Sequence, residues 1–84
     1  IRKSIVYYDA EQDFSSSSDA LNKYEGIKNL IKKCFSGTVN VSDENNQKIY
    51  EFFTTYQGYS IRIALIYLNL FGSSSVSITV RVKD

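Results

Sequence analysis

Few residues in this chain could do chemistry. Cys34 is its single cysteine, and it contains no histidine. Histidine is the commonest general base near neutral pH and the commonest transition-metal ligand, so its absence removes both chemistries together. A cysteine attacks as its thiolate, and Cys34 falls near the C-terminal end of a helical apolar stripe, where the dipole disfavours negative charge. It therefore reads as a small buried hydrophobe. The carboxylates Asp9, Glu11 and Asp13 alternate like the first ligands of a calcium loop, and Asp43 with Glu44 form a second acidic pair. A calcium loop also needs its turning glycine and a closing bidentate glutamate. Neither follows the trio, so the segment reads as a solvated acidic turn. Gly26, Gly37, Gly58 and Gly72 are isolated and build no phosphate-cradling loop. The sequence thus assigns no catalytic residue, no metal ligand and no cofactor, and points to a chain that is not an enzyme.

What remains is binding, and the elements that would position a binding surface follow from periodicity. Eighty-four residues, 43% of them hydrophobic and 23% charged, suit one folding unit with a thin core, and we read residues 1–84 as a single domain. Residues 1–8 are rich in β-branched and aromatic types and predict a strand. An acidic and serine-rich loop over 9–18 then leads to a helix over 19–35, with Ser18 or Asp19 as its N-cap. The run Ser15–Ser18 would also accept phosphate favourably near a helix start, although its simplest reading is a flexible linker. Along the helix, Leu21, Tyr24, Ile27, Leu30, Ile31 and Cys34 recur at spacings of three and four, which gathers them on one face. Gly37 is placed to end the helix in the left-handed conformation. Gly26, inside it, predicts a bend or a close neighbour.

From residue 38 to 83 the period changes to two, predicting a four-stranded meander with two-residue turns at Asn45–Asn46, Gln57–Gly58 and Gly72–Ser73. These turns fix the register. Tyr50 opposes Val41 and Leu65, Phe52 opposes Val39 and Ile63, Leu65 opposes Val80, and Tyr67 opposes Ile78. One face then collects Val39, Val41, Tyr50, Phe52, Ile61, Ile63, Leu65, Tyr67, Val76, Ile78, Val80 and Val82 for the helix. The fold class is α+β, one helix on one face of a curled antiparallel sheet in the order β-α-β-β-β-β. This element order resembles that of cystatin-like folds. The glutamine-x-valine-x-glycine hairpin of cystatins is absent from Asp43–Lys48 and from Thr55–Ser60, so no protease-inhibiting function is carried over.

The opposite face is the informative one. The same register turns Ile49, Ala64, Ile66, Leu68 and Leu70 away from the helix, where a half-solvated sheet should be polar. A covering layer is expected, either a second protein, a second copy, the first strand or the serine-rich loop, unless the third turn is longer than two residues. Phe53 lies on this face opposite Arg62, Arg62 opposite Lys83, and Arg81 opposite Ala64, making a basic corner with one ring on which a single strand of nucleic acid could stack. With ten basic and nine acidic residues the net charge is +1, and Lys23, Lys28, Lys32 and Lys33 form no single stripe on the helix, so no wider cationic field supports that corner. The reading is a non-catalytic protein-interaction or assembly module using Ile49, Phe53, Ile66, Leu68 and Leu70, with a homodimer as the simplest assembly. The alternative is a single-stranded nucleic-acid binder using Phe53, Arg62, Arg81 and Lys83, and the third is a small inhibitor or antidote protein. The longest apolar run, Ile63–Leu68, is too short to span a bilayer, so no membrane partner is expected. A lone cysteine favours a reducing, intracellular setting, with a secreted or processed fragment as the other reading.

Overall fold

The structure, a computed structural model, describes residues 4–83. Its elements are β1 (Ser4–Phe14), α1 (Ser17–Cys34), β2 (Thr38–Asp43), β3 (Gln47–Tyr56), β4 (Tyr59–Leu70) and β5 (Ser73–Lys83). All five strands form one antiparallel sheet in the order β1-β5-β4-β3-β2, with the helix on one face. The α+β class and the element order are as read from the sequence.

The first strand differs in extent. Its expected residues 1–3 lie outside the described residues, and the expected acidic turn is strand: β1 runs on to Phe14. Asp9, Glu11 and Asp13 alternate with Ala10, Gln12 and Phe14, which is the period of a strand with one wet and one packed side. Its register against β5 shifts between Val6 and Tyr8, a β-bulge.

Serine is part of the helix as well as of the approach to it. Ser16, in extended backbone, is the N-cap, and its hydroxyl accepts from the Asp19 amide at 3.4 Å. The expected caps Ser18 and Asp19 therefore sit inside the first turn, where Asp19 favours the positive end of the dipole. At the other end Phe35, not a left-handed glycine, closes the helix in extended backbone, its amide donating to the Ile31 carbonyl at 3.0 Å. Gly37 serves packing instead of chirality. A Cβ there would fall 2.2 Å from the Phe53 carbonyl oxygen and 2.9 Å from the Phe52 ring. Gly26 has open space about it, and the helix runs through it.

The first two hairpins have the expected pairings, Val41 with Tyr50 and Tyr50 with Leu65. Asn45 and Asn46 turn without positive φ, whereas Gln57 and Gly58 both adopt it, at 50° and 85°. The third turn is one residue earlier than expected. Phe71 and Gly72 take positive φ, at 52° and 77°, and Leu70 pairs with Ser73. Leu65 consequently opposes Ile78, and Tyr67 opposes Val76. Moving a turn by one residue moves every partner by two, so the faces are preserved. The adopted register places Ser74, which is buried, where its hydroxyl donates to the Asn69 side-chain oxygen at 3.0 Å.

The core lies between Ala20, Tyr24 and Ile31 of α1 and the ring-rich face of Tyr50, Phe52, Ile63, Leu65, Tyr67 and Val76. One helix is about 10–12 Å across, while strands repeat at about 4.8 Å. A five-stranded sheet is therefore wider than its cover. The helix lies over β4, β5 and β1, and every residue of β2 is exposed, including Val39 and Val41, which the sequence reading placed in the core face. Cys34 and Leu30 are likewise exposed, in place of the burial predicted for the helix stripe.

Candidate functional site: the bare face of the sheet

The register writes the outer face as a grid. Across the strands from β1 to β2, one row reads Asp13, Ser75, Leu68, Gln47, and the next Glu11, Ser77, Ile66, Ile49, Ser42. A third reads Asp9, Thr79, Ala64, Glu51, Asn40. Beyond it come Arg81, Arg62, Phe53 and Thr38, then Lys83, Ser60 and Thr55. No second layer lies over this face among the described residues. β1 adds to the sheet edge beside β5, and Ser16–Ser18 cap and start the helix, so among the described residues neither of the chain's own candidate covers lies over it.

Three zones result. The apolar zone holds Ile49, Ala64, Ile66 and Leu68, each half-buried by its neighbours, and Leu70, 51% exposed beside the last turn. Phe53, grouped with these residues in the sequence reading, belongs to the second, basic zone. There Phe53, Arg62, Arg81 and Lys83, together with Thr55 and Ser60, line one open hollow of about 570 Å³. The pairing inside it departs from expectation: Arg62 opposes Arg81, Lys83 opposes Ser60, and Ala64 opposes Thr79. The shift follows from the earlier third turn. It sets two arginines opposite one another on this face, and the Arg62 guanidinium is held by Glu51, with Nε donating to Oε2 at 2.9 Å. Arg81 and Lys83 have no carboxylate partner among the described residues.

The third zone, the acidic row Asp9, Glu11 and Asp13, was missed as a surface because the segment was read by its charge instead of its period. Asp9 accepts from the Thr79 hydroxyl at 3.1 Å, and all three carboxylates are exposed. Same-face residues along a strand are about 6.6 Å apart, so these oxygens do not converge on one ion. Among the described residues, no three metal-ligating side chains gather.

The helix side has its own electrostatics. Burial first, then the nearby Glu25 and Asp43 charges, push the Tyr24 phenol up to about 12. Lys48 bonds Asp43 and holds that carboxyl below its ordinary value. Neither arrangement places a nucleophile beside a base. No described helix is long and apolar enough to cross a membrane.

No protein-family model matches the chain, and no curated protein sequence does. Among solved structures it is similar to ORF14 of Sulfolobus islandicus filamentous virus, at 11% identity and a TM-score of 0.48 over 95% of this chain and 67% of that one. ORF-99 of the archaeal virus AFV1 is similar at 15% identity and 0.47, over 99% and 76%. Protein PA94 of Pseudomonas aeruginosa, of unknown function, is similar at 9% identity and 0.51, over 95% and 67%. The likeness to PA94 is one of fold.

Proposed function

We infer that this chain is a non-catalytic interaction module that docks the bare face of its sheet against a protein. The observation that carries the reading is the apolar patch of Ile49, Ile66 and Leu68 on a face with no second layer among the described residues. Fully burying one such side chain contributes roughly 1.5–3 kcal/mol, so a partner that completes their partial burial gains several kcal/mol from this zone alone. The test is recovery of bound protein from the native source with the wild-type chain and with Leu68→Lys. The variant should keep its circular dichroism spectrum, since Leu68 faces away from the helix, and should lose the partner. Equal recovery by both would remove the reading.

A second reading is single-stranded nucleic-acid binding, favoured by the convergence of Phe53, Arg62, Arg81 and Lys83 on one hollow. The two separate by salt. Phosphate contacts release counterions and weaken steeply with ionic strength, whereas apolar docking does not.

A further inference from the structure

Apart from Glu51, which is paired with Arg62, the charges of the bare face are segregated: the acids run along β1, the cations Arg81 and Lys83, without a carboxylate partner among the described residues, lie at the far end of β5, and the apolar zone occupies the quadrant diagonally opposite. We propose that the occupant of this face is a second copy of the chain, packed face to face across a two-fold axis that runs diagonally over the sheet, so that the strands of the two copies cross at about a right angle. The proposal rests on the reading of the face as a protein-docking surface and names its partner.

The grid selects this arrangement. Strands are spaced by about 4.8 Å and same-face residues by about 6.6 Å. With the centre between Ala64 and Ile66, Asp9 lies about two strands to one side, and Arg81 about one strand to that side and one and a half row spacings along it. An axis parallel to the strands sets Arg62 on Arg62 of the other copy. An axis perpendicular to them sets the acidic row on itself. One diagonal drives the acidic row onto Leu68. The other exchanges the two charged zones, bringing Asp9 beside Arg81 of the other copy and Glu11 beside Arg62, each twice by symmetry, while Ile49 and Ile66 pack about the axis and Leu68 comes to lie over the Asn40–Ser42 stretch of the other copy's β2. Orthogonal crossing is one of the two stable ways for sheets to stack.

The acidic row also argues against a polyanion here, because a phosphate backbone leaving the basic hollow toward β1 would meet three exposed carboxylates. The molecule measures 25 Å along its middle dimension, so crossed sheets cover roughly 600 Å² per copy, at the lower end for specific interfaces. A dimer that dissociates on dilution follows.

The experiment is sedimentation equilibrium of the purified chain over a wide concentration range, for wild type, Asp9→Lys, Arg81→Glu and the double variant. Wild type should show a monomer–dimer equilibrium. Each single reversal should weaken the dimer by about tenfold or more, since a paired contact is lost twice and repulsion replaces it. The double variant should recover to within about threefold of wild type, because the pair is restored with its signs exchanged. Circular dichroism on all four forms excludes misfolding as the cause. Additive weakening in the double variant overturns the crossed geometry. A concentration-independent wild-type monomer overturns the dimer, and if Leu68-dependent partner recovery persists, the docking reading survives without it. Salt-sensitive binding of labelled oligothymidylate by the monomer, lost in Arg81→Glu, would overturn the dimer in favour of nucleic acid.

Discussion

The ring of Tyr24 on α1 lies 6.2 Å from the ring of Tyr67 on β4, their planes inclined at 54°. This pair joins the helix to the centre of the sheet, and it makes the fold sensitive to alkali. The Tyr24 phenol is held up to about 12 in the folded chain, against about 10 when unfolded. Between these values the unfolded state loses a proton that the folded state keeps, so stability falls as pH rises from 10 to 12. Below pH 10 both states are protonated and this group adds no pH dependence. The loss should be on the order of 2 to 3 kcal/mol, read from urea unfolding at stepped pH, and Tyr24→Phe should flatten that part of the profile.

Leu65 is completely buried beneath the helix. Leu65→Ala should cost roughly 2 to 5 kcal/mol in chemical denaturation, the range for a leucine whose site cannot collapse. A change of under about 1 kcal/mol would place this strand's faces the other way round.

Two glycines should respond with opposite signs. Gly26→Ala adds a methyl group to open space on a helix and should stabilise by about 0.5–1 kcal/mol. Gly37→Ala drives a methyl group into the Phe53 carbonyl and the Phe52 ring and should destabilise by roughly 1 to 3 kcal/mol or more. Thermal melts of the two variants beside wild type test both.

Cys34 ends α1 and is exposed. Its thiol should react with a neutral aqueous labelling reagent in the native protein at a rate close to that in denaturant. Labelling that waits for denaturant would show the helix terminus to be covered.

The meander was legible because strand period and turn chemistry agree: with Gln57 and Gly58 at positive φ, the pairing of Tyr50 with Leu65 follows. The third hairpin was ambiguous by one residue, since Gly72 can occupy either central position of the turn. Tertiary packing decides it, by seating Val76 opposite Tyr67 and Ser74 against Asn69. Charge misled at β1, where Asp9, Glu11 and Asp13 suggested a turn although their spacing is that of a strand. Helical spacing likewise placed Leu30 and Cys34 on a buried stripe, but periodicity does not say where the sheet beneath the helix runs out. The apolar residues of the candidate site were assigned to their face from the sequence. The acidic row completing that face was not, because its strand was not recognised.

The edge pairing of β1 with β5 has a kinetic consequence. Its side-chain bond between Asp9 and Thr79 joins residues 70 apart, whereas the three hairpins close over a few residues each. Loop closure on that scale costs about 4 kcal/mol from its logarithmic part alone, repaid only once β5 stands ready as a template. Refolding should therefore be slow for so short a chain, as in folds dominated by non-local pairing, with hairpins forming early and β1 joining last. The carboxylates of Asp9, Glu11 and Asp13 arrive with that final strand, so the outer face acquires its negative margin only when the chain has finished folding.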